Sequence, residues 1–583
     1  MQTSSERRRT LPSKRVSLPI CAPSDPTNLD RSSRTSQLTS FATVISYNAS
    51  LPTLPVTPSI SPGYLAPLLP DSAPTSPQSW PTIQADISKH IIPGLTHWQS
   101  PNFMAFFPAG VTYPSLLGEM YSAAFSAPAF NWLCSPACTE LETVVLDWMA
   151  RAMGLPEAFL STSAGGGGGV IQGSASEAIV TVMVAARERY LRDKCDKEGL
   201  KEGSREREAR ITELRGKLVA LASEQAHSGT HKGALIAGTR FMSIPVSLDE
   251  ELGLTGEKLE RALEECAEQG LEPFYLTTTL GTTNTCAVDR FEEIGEVKTR
   301  HPGLWVHVDA AYAGAALICE ESWHYSKQFT MADSFDMNMH KWLLVNFDAS
   351  CLYVQNRNHL RSALSVTPSY LRNKHTDSGL VTDYRDWQIP LGRRFRALKI
   401  WFVMRSYGLD GMKAHIRKTV GIGKVFTDLV EGRDDLYEVI GTPRFGLTCF
   451  RLKPGVVAAA AAGRATSGSA GVNSTLGEEV LAGGSIPDAE ATANAVTKEV
   501  AELINERREI FITSSTAAGK GIIRVVSGNP NAQEKYVRNA FEIIVKTTNE
   551  VLDSKAIAPL HSGTVKNNKQ RKRMHVDKRI VAS

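Results

Sequence analysis

The sequence predicts an α/β fold in which helices cover a largely parallel β-sheet. Between Gly165 and Asn356, short apolar runs alternate with stretches that have the apolar period of a helix, a pattern typical of parallel sheets. A chain of 583 residues is also long enough for roughly two to four structural units. The apolar runs are Leu218–Ala222, Phe274–Thr279, Trp305–Val308 and Cys351–Val354.

A smaller α+β domain is predicted over residues 401–560. Gly521–Ser527 are typical of a strand, and the residues from about Ala532 to Val551 have the apolar period of a helix. Residues 454–487, which are rich in Ala, Gly and Ser, are predicted to form a flexible insertion in this domain.

Ahead of this domain, residues 161–400 are predicted to form a large domain, and residues 62–160 to connect the chain and line a site. The connecting stretch alternates proline-punctuated loops with aromatic segments and then has four apolar residues at helical spacing, namely Leu141, Val144, Val145 and Trp148.

Both ends of the chain are basic. Residues 1–61 hold seven Lys/Arg against three Asp/Glu, and residues 561–583 hold seven against one. Both segments are predicted to be disordered, because they lack an apolar period. An Arg- and Ser-rich start is also typical of a transit peptide, although Glu6 and the prolines disfavour one, and Lys566–Arg579 are either a solvated tail or a nuclear address. The acidic middle argues against nucleic-acid binding and favours a small-molecule substrate.

The cysteines predict neither a disulfide framework nor a metal site. There are nine, an odd number, and they lie far apart in the sequence. Cys134 and Cys138 have no second pair at zinc-ligand spacing. Since no apolar run approaches the roughly 18 residues needed to span a membrane, we expect a soluble cytoplasmic protein with no membrane partner.

An aspartate and a lysine follow two strand-like segments. Asp309 lies within His307–Tyr312 at the end of an apolar strand, and Lys341 lies beside His340 in Asn338–Trp342. Alone, a lysine is usually a solvated charge, and an aspartate after a strand is often a cap. Together they provide an amine for a Schiff base and a carboxylate that keeps a pyridine nitrogen protonated, which pyridoxal 5'-phosphate (PLP) chemistry needs.

A phosphate site is predicted where small residues open a helix, at Gln172–Ala178. Backbone N–H groups and hydroxyls at a helix N-terminus bind a dianion. The serines could also serve only as an N-cap, but their position ahead of the Asp309 and Lys341 segments favours phosphate binding. The preceding run Gly165–Gly169 either allows a close approach of the backbone or forms a flexible loop.

A long ordered series of motifs resembles the group II PLP-dependent decarboxylases, and among them the aromatic L-amino acid decarboxylases. The resemblance is dense over about residues 62–450. The matching segments are Pro62–Leu65, Thr96–Trp98, Ser135–Glu142, Gly173–Glu177, Glu224–Ser228, Leu280–Thr283, Asp309–Gly314, His340–Trp342, Asp383–Arg385 and Gln388–Arg396.

This resemblance implies the aspartate-aminotransferase-like fold (fold type I), with a mostly parallel seven-stranded sheet, and a homodimer with shared active sites. It makes Lys341 the Schiff-base lysine, Asp309 the partner of the pyridine nitrogen and His227 the ring that stacks on PLP. The other positions that it assigns to the cofactor site are Ser174, Ala175, Ser176, Asn338, Thr283 and His340.

The resemblance also implies the substrate contacts. It assigns them to Trp98, Phe106, Phe107 and Pro108 of one subunit and Phe130 of the other, with Gly392 leaving room for an indole ring. By residue type alone, these aromatics are more typical of an ordinary core. Tyr370, on a Pro- and Gly-flanked stretch suited to a mobile lid, becomes the general acid that protonates the substrate carbon after CO2 leaves.

Three departures from the family pattern stand out. Ala109 replaces a threonine whose hydroxyl could hold the substrate carboxylate, and this shifts carboxylate recognition towards His227. Met339 replaces a proline next to His340. Residues 1–61 show no convincing equivalent of the amphipathic helix that opens the family's chain and packs across its dimer.

The predicted function is therefore the PLP-dependent decarboxylation of aromatic L-amino acids. An aromatic aldehyde synthase uses the same scaffold, but His227 and Tyr370 match the decarboxylases. A glutamate or histidine decarboxylase is disfavoured by the aromatic slot. An inactive PLP-binding scaffold is disfavoured by the complete set of reactive residues.

Overall fold

The computed structural model describes residues 29–366, 374–377, 381–462 and 489–557. They divide into two compact units. The first lies within Met1–Ser50 and Ser59–Leu95, and the second lies within Leu51–Pro58 and Thr96–Ser583. None of the helices in these ranges is long and apolar enough to cross a membrane.

The first unit contains two helices, α1 (Leu29–Ser50) and α2 (Trp80–Asp86). Ser79 caps α2 by accepting a hydrogen bond from the backbone N–H of Thr82. The Gln84 amide donates to the hydroxyl of Thr43, 2.7 Å away, and so links the two helices.

The prediction of a disordered segment up to residue 61 is wrong for its described part. Residues 29–50 form α1, so the chain does have an N-terminal helix. Leu51 and Val56 are buried, and the backbone of Val56 donates to Arg508 and accepts from His97. Tertiary hydrogen bonds and burial order this segment despite a composition typical of disorder.

The second unit contains the large sheet, whose strand order is β1-β7-β6-β5-β4-β2-β3. All pairs are parallel except those of β7, which is antiparallel to both β1 and β6. The mostly parallel seven-stranded sheet is thus confirmed. The strands are β1 (Gly168–Gln172), β2 (Leu218–Ser223), β3 (Arg240–Ile244), β4 (Glu272–Thr279), β5 (Trp305–Asp309), β6 (Ser334–Asn338) and β7 (Ser350–Val354).

The strands of this sheet are buried along their whole length except for β3 and the first two residues of β4, as expected of a mostly parallel sheet with helices on its faces. The helices of this part of the chain are α3 (Tyr113–Phe125), α4 (Pro136–Ala152), α5 (Ala175–Lys197), α6 (Arg205–Arg215), α7 (Gly229–Ala237), α8 (Gly256–Glu268), α9 (Phe291–Arg300), α10 (Trp323–Ser326), α11 (Met339–Trp342), α12 (Arg357–Leu364) and α13 (Lys374–Asp377).

The glycine run before β1 packs closely rather than forming an open loop. A Cβ on Gly167 would lie 1.8 Å from the carbonyl oxygen of Ala158, and one on Gly169 would lie 2.9 Å from the Tyr353 ring. No side chain fits at either position. The flexible-loop interpretation is therefore wrong for Gly167 and Gly169, while a close approach of this backbone to a phosphate stays a prediction.

The C-terminal part has an antiparallel sheet in the order β10-β11-β9-β8. The predicted strand and helix near residues 521 and 532 are confirmed as β11 and α17. The elements are α14 (Arg396–Glu431), β8 (Tyr437–Val439), β9 (Leu447–Leu452), α15 (Pro454–Ala461), α16 (Ala489–Arg507), β10 (Thr513–Ala517), β11 (Lys520–Val526) and α17 (Glu534–Ile557).

Two predicted boundaries differ from the structure. The domain boundary at residue 400 falls inside α14, whose helical path is interrupted only later, at Gly408 with a φ of 62°. The predicted flexible insertion begins with α15, in which Val457 and Ala460 are buried. The Ala-, Gly- and Ser-rich composition predicts flexibility, but Ala is the strongest helix former, and Pro454 suits the first turn of a helix. The rest of the insertion lies outside the described residues.

Candidate active site

Three neighbouring strands end with polar side chains at one edge of the large sheet. β4 ends at Thr279, β5 at Asp309 and β6 at Asn338, and the three strands are parallel. The carboxyl ends of parallel strands meet at the same edge, where α/β proteins place their ligand sites. Lys341 follows β6 directly, on the short helix α11.

The Lys341 ammonium is buried beside carboxylates. Burial lowers the pKa of Lys341, while the neighbouring carboxylates of Asp309 and Asp336 raise it. A lowered pKa increases the fraction of neutral amine, which is the form that attacks a carbonyl carbon. Asp309 is 4% exposed, and its Oδ1 accepts a hydrogen bond from the backbone N–H of Ala311, 2.9 Å away.

His227 lies in the same cluster, just after β2. Burial and the charge of Lys341 lower the pKa of His227, and Asp309 opposes them. Its Nδ1 accepts a hydrogen bond from the backbone N–H of Gly229 at 3.0 Å, which leaves the proton of the neutral ring on Nε2. A Cβ on Gly229 would lie 2.9 Å from this Nδ1 and 3.2 Å from the Ser176 hydroxyl, so Ser176 and His227 are neighbours.

The predicted phosphate residues stand at the N-terminus of α5. Ser174 is its N-cap, and the Ser174 hydroxyl accepts a hydrogen bond from the backbone N–H of Glu177 at 3.1 Å. Ala175 and Ser176 form the first turn and are half-buried. Ser174 therefore caps α5, while phosphate binding by these residues stays a prediction that the partial positive charge at the start of a 23-residue helix favours.

His340 is buried next to Lys341 and is neutral. Burial and the Lys341 charge lower the pKa of His340 to about 4. The backbone N–H of Ala349 donates to its Nδ1 at 2.9 Å, and the Phe347 ring meets it edge-on, with the ring centroids 4.7 Å apart. Its backbone carbonyl accepts a hydrogen bond from the N–H of Gly110, which ties the lysine segment to the predicted substrate loop.

The predicted substrate aromatics fall into two groups. Phe107 stacks on Tyr312 with the ring centroids 3.8 Å apart, and its centroid lies 5.8 Å from the Lys341 ammonium. Trp98 and Phe106 instead stack on each other at 5.7 Å and are 37% and 47% exposed. Pro108 is buried next to Phe107.

The remaining predicted contacts lie on other segments. The half-buried Phe130 accepts a backbone hydrogen bond from Arg385 at 3.2 Å. A Cβ on Gly392 would meet no atom of the described residues within 4 Å. Thr283 is half-buried in the loop after β4. Tyr370 lies outside the described residues.

Two residues were missed by the sequence analysis, Arg524 and Tyr312. Arg524 is buried on β11, donates to the backbone carbonyls of Thr283 and Asn284 at 2.7 and 2.6 Å, and places its guanidinium 5.5 Å from the Phe107 centroid. Tyr312 supports the other face of Phe107 and donates to the Phe445 carbonyl at 2.8 Å. An arginine inside an apolar strand was the available signal for the first, because buried charges need partners.

The chemistry of this residue set fits PLP. A buried lysine faces a buried carboxylate, and the Asn338 Oδ1 and Gln172 Nε2 are buried without a hydrogen-bond partner in the described part of the chain. Such orphaned polar atoms call for a ligand or water. The fold and this residue set define a PLP-dependent enzyme of the fold type I class.

Comparison with known proteins supports the same class. Residues 62–453 match the family described as "Pyridoxal-dependent decarboxylase conserved domain". The chain belongs to this family, and its cofactor is PLP. The chain is 49% identical to the aromatic-L-amino-acid decarboxylase of Cavia porcellus over 399 residues, which cover 68% of this chain and 80% of that protein.

Two further relatives show the breadth of this likeness. The chain is 39% identical to the phenylacetaldehyde synthase of Arabidopsis thaliana over 87% of this chain and 94% of the relative. Among solved structures, TDC of Oryza sativa with PLP and tryptamine superimposes with a TM-score of 0.79 at 35% identity, covering 91% of this chain and 99% of the other.

Proposed function

We propose that this protein removes the α-carboxylate of aromatic L-amino acids as CO2 and releases the corresponding aryl-ethylamine. The observation that carries the proposal is the position of the Phe107 ring, whose centroid lies 5.8 Å from the Lys341 ammonium and which stacks on Tyr312. An apolar aromatic wall at this distance from the reactive amine suits an indole or phenol ring.

Within this proposal, the residues of the sheet edge hold PLP. Lys341 would bind the aldehyde group, Asp309 would pair with the ring nitrogen and His227 and Thr283 would hold the ring, while Ser174, Ala175, Ser176 and Asn338 would hold the phosphate. When bound, PLP supplies an electron sink for the pair left on the substrate Cα. Asp309 keeps a proton on the ring nitrogen because a poorly solvated carboxylate favours the charged partner.

In the same proposal, the aromatic ring of the substrate contacts Trp98, Phe106, Phe107 and Pro108. Ala109 offers no hydroxyl to a carboxylate, and its backbone carbonyl already accepts a hydrogen bond from Gln99. We therefore assign carboxylate recognition to His227, whose Nε2–H points away from its own Gly229 contact. The neutral imidazole of His340 adds no charge to the site.

The proposal is tested by comparing products from tryptophan, 5-hydroxytryptophan, DOPA, tyrosine and phenylalanine, with glutamate and histidine as controls. We expect a visible absorption band from bound cofactor, and equal amounts of CO2 and amine from at least one aromatic substrate. Turnover of glutamate alone would contradict the substrate class. A bound cofactor without any product would favour the inactive scaffold.

An aldehyde synthase is the second candidate, because the Arabidopsis relative is a phenylacetaldehyde synthase aligned over most of this chain. We favour the decarboxylase, since His227 and Tyr370 match the decarboxylase pattern. In this proposal the Tyr370 phenol gives its proton to the substrate Cα after CO2 leaves. Tyr370→Phe should then let O2 intercept the carbon, so that aldehyde, ammonia and hydrogen peroxide replace much of the amine. Unchanged amine formation without peroxide would assign this proton to another group.

We also propose a homodimer with shared sites. α1 exposes Phe41, Val44 and Ile45 on one stripe, and α3 exposes Leu117 and Tyr121 at helical spacing. Exposed apolar stripes of this kind are typical of interfaces. Mixing Lys341→Ala with Phe130→Ala subunits should restore activity, because one site in each mixed dimer then has both residues. No recovery in verified mixed dimers would contradict the sharing.

A cytoplasmic location is part of the same proposal. All eight cysteines in the described part of the chain are free thiols, as expected in a reducing compartment. Fractionation of the source cells would test it.

A further inference from the structure

A second carboxyl group lies beside Asp309 in the sheet. Asp336 on β6 is the register partner of Asp309 on β5, and both lie near Lys341. Asp336 is 0% exposed, as is His307, which stands two residues before Asp309 on the same side of β5. The proposed roles of the site residues use neither Asp336 nor His307.

These residues form a hydrogen-bonded chain through the sheet. The Trp305 indole donates to the Ser334 hydroxyl at 2.8 Å, and this hydroxyl lies 2.8 Å from Nδ1 of His307. Nε2 of His307 lies 3.0 Å from Oδ1 of Asp336. An indole can only donate, so the Ser334 hydroxyl accepts from Trp305 and donates its own hydrogen bond to Nδ1 of His307. The neutral imidazole then carries its proton on Nε2 and donates from there to Asp336.

The other oxygen of Asp336 has no such support. Oδ2 is buried and has no hydrogen-bond partner in the described part of the chain. The titratable groups that face Asp336 are Tyr275 from β4, His307 and Asp309 from β5, Cys351 from β7, and Lys341. An unpaired buried carboxylate oxygen next to another carboxylate is costly, and a proton on it relieves both the burial and the repulsion.

We propose that Asp336 is a positioning residue of the cofactor site that gains and loses a proton at Oδ2 and thereby changes the charge seen by Asp309 and Lys341. His307 orients the carboxyl group through Oδ1, and Ser334 fixes the His307 tautomer. The inference rests on PLP being bound at the proposed residues.

The direction of the effect follows from the charges. Burial, together with the Asp309 charge, raises the pKa of Asp336 to about 6, against the His307 hydrogen bond that lowers it. Above this pH, two carboxylates act on Lys341 and on the proton of the cofactor ring. Below it, Asp336 is neutral, and Asp309 acts alone. The bound cofactor should therefore change its absorption spectrum in the weakly acid range.

The test is a pH titration of the visible and near-ultraviolet bands of the holoenzyme between about pH 5 and about pH 8. Wild-type protein should show a transition with a midpoint near that of Asp336. Asp336→Asn should show no such transition and should keep the low-pH band ratio throughout, because a neutral amide cannot ionise. The same midpoint in both proteins, or no transition in wild-type protein, would overturn the proposal.

A matched control is available in Asp289, which is also buried with a pKa raised to about 6 by burial. Both of its oxygens are paired, with the backbone N–H groups of Leu254 and Thr279 at 2.8 and 2.7 Å. Asp289→Asn should keep the transition. Loss of the transition in Asp289→Asn but not in Asp336→Asn would overturn the proposal.

A second variant protects the test against misfolding of Asp336→Asn. Ser334→Ala removes only the hydroxyl that holds His307 in the tautomer with its proton on Nε2. The hydrogen bond from Nε2 to the Asp336 carboxylate should then weaken, and because this bond lowers the pKa of Asp336, the midpoint of the spectral transition should rise. An unchanged midpoint would overturn the proposal. Wild-type protein that forms no visible cofactor band would instead contradict the cofactor site itself.

Discussion

The two sides of the candidate site differ in how far a single chain encloses them. At the sheet edge, Asp309 is almost fully buried and the Lys341 ammonium is desolvated. On the aromatic side, Trp98 and Phe106 keep more than a third of their surface exposed. One folded chain therefore fixes the groups for cofactor chemistry. The substrate contacts Trp98 and Phe106, in contrast, lie on surface that a second chain can cover.

The largest effect is expected from Lys341→Ala, which removes the reactive amine from the buried side. The rate of amine formation should fall by at least about 1,000-fold, since no other amine lies in the motif. The folded protein should hold PLP only noncovalently, as shown by loss of the cofactor on denaturation after borohydride treatment.

Lys298→Ala is the matched control, because Lys298 is also a mostly buried lysine, paired with Asp333 at 3.0 Å. It should keep covalent cofactor and most of the rate. Undiminished turnover by Lys341→Ala would refute the assignment of the lysine.

Asp309→Asn should have the next largest effect, a loss of about 100-fold in the rate of amine formation. The neutral amide keeps the shape of the side chain but cannot hold a proton on the ring nitrogen, so the electron sink weakens. Steady-state kinetics and cofactor content should show a protein that retains some PLP. A near-parental rate would mean that another group, such as Asp336, meets the ring nitrogen.

The buried side was also the more predictable from the sequence. Apolar runs that end in Asp309 and Asn338 predict strands with polar ends, and parallel strands bring those ends to one edge. Local pattern could not reveal that Asp336 is the register partner of Asp309, because pairing between strands depends on the whole fold. Arg524 reaches the site from β11, 183 positions after Lys341, so no spacing rule could place it there.

The segment before residue 62 and the start of the insertion were less predictable. The segment Leu51–Pro58 is ordered by contacts with Arg508 and His97, which lie far away in the sequence. The alanine run within residues 454–487 predicted a flexible segment by its composition, but its first part forms the helix α15. Where tertiary contacts rather than local patterns order the chain, composition misleads.

A smaller effect is expected from Phe107→Leu, which removes the ring that stacks on Tyr312. In the proposed site Phe107 also pairs with the substrate ring, and an aromatic pair contributes about 1 kcal/mol beyond its burial. KM for the preferred substrate should therefore rise by about fivefold with little change in kcat. Phe106→Leu makes the same chemical change one residue away, on the exposed side. An equal rise of KM in Phe107→Leu and Phe106→Leu would contradict the distinction between the buried and the exposed side of the site.

The smallest effect is expected from Gly392→Ser, which should shift the preference from indole to phenol substrates. A Cβ at this position meets no atom within 4 Å in the part of the chain that the structure describes, and the backbone at Gly392 does not have the positive φ that disfavours a side chain. Its effect should therefore arise only where a substrate, held against a partner chain, approaches this loop. There the hydroxymethyl group takes slot volume and offers a hydrogen bond to a ring hydroxyl, so the tryptophan-to-tyrosine ratio of kcat/KM should fall by about tenfold. Gly455→Ser, at a position on α15 with equally open surroundings, should leave this ratio unchanged. If Gly392→Ser also leaves it unchanged, Gly392 does not line the substrate slot.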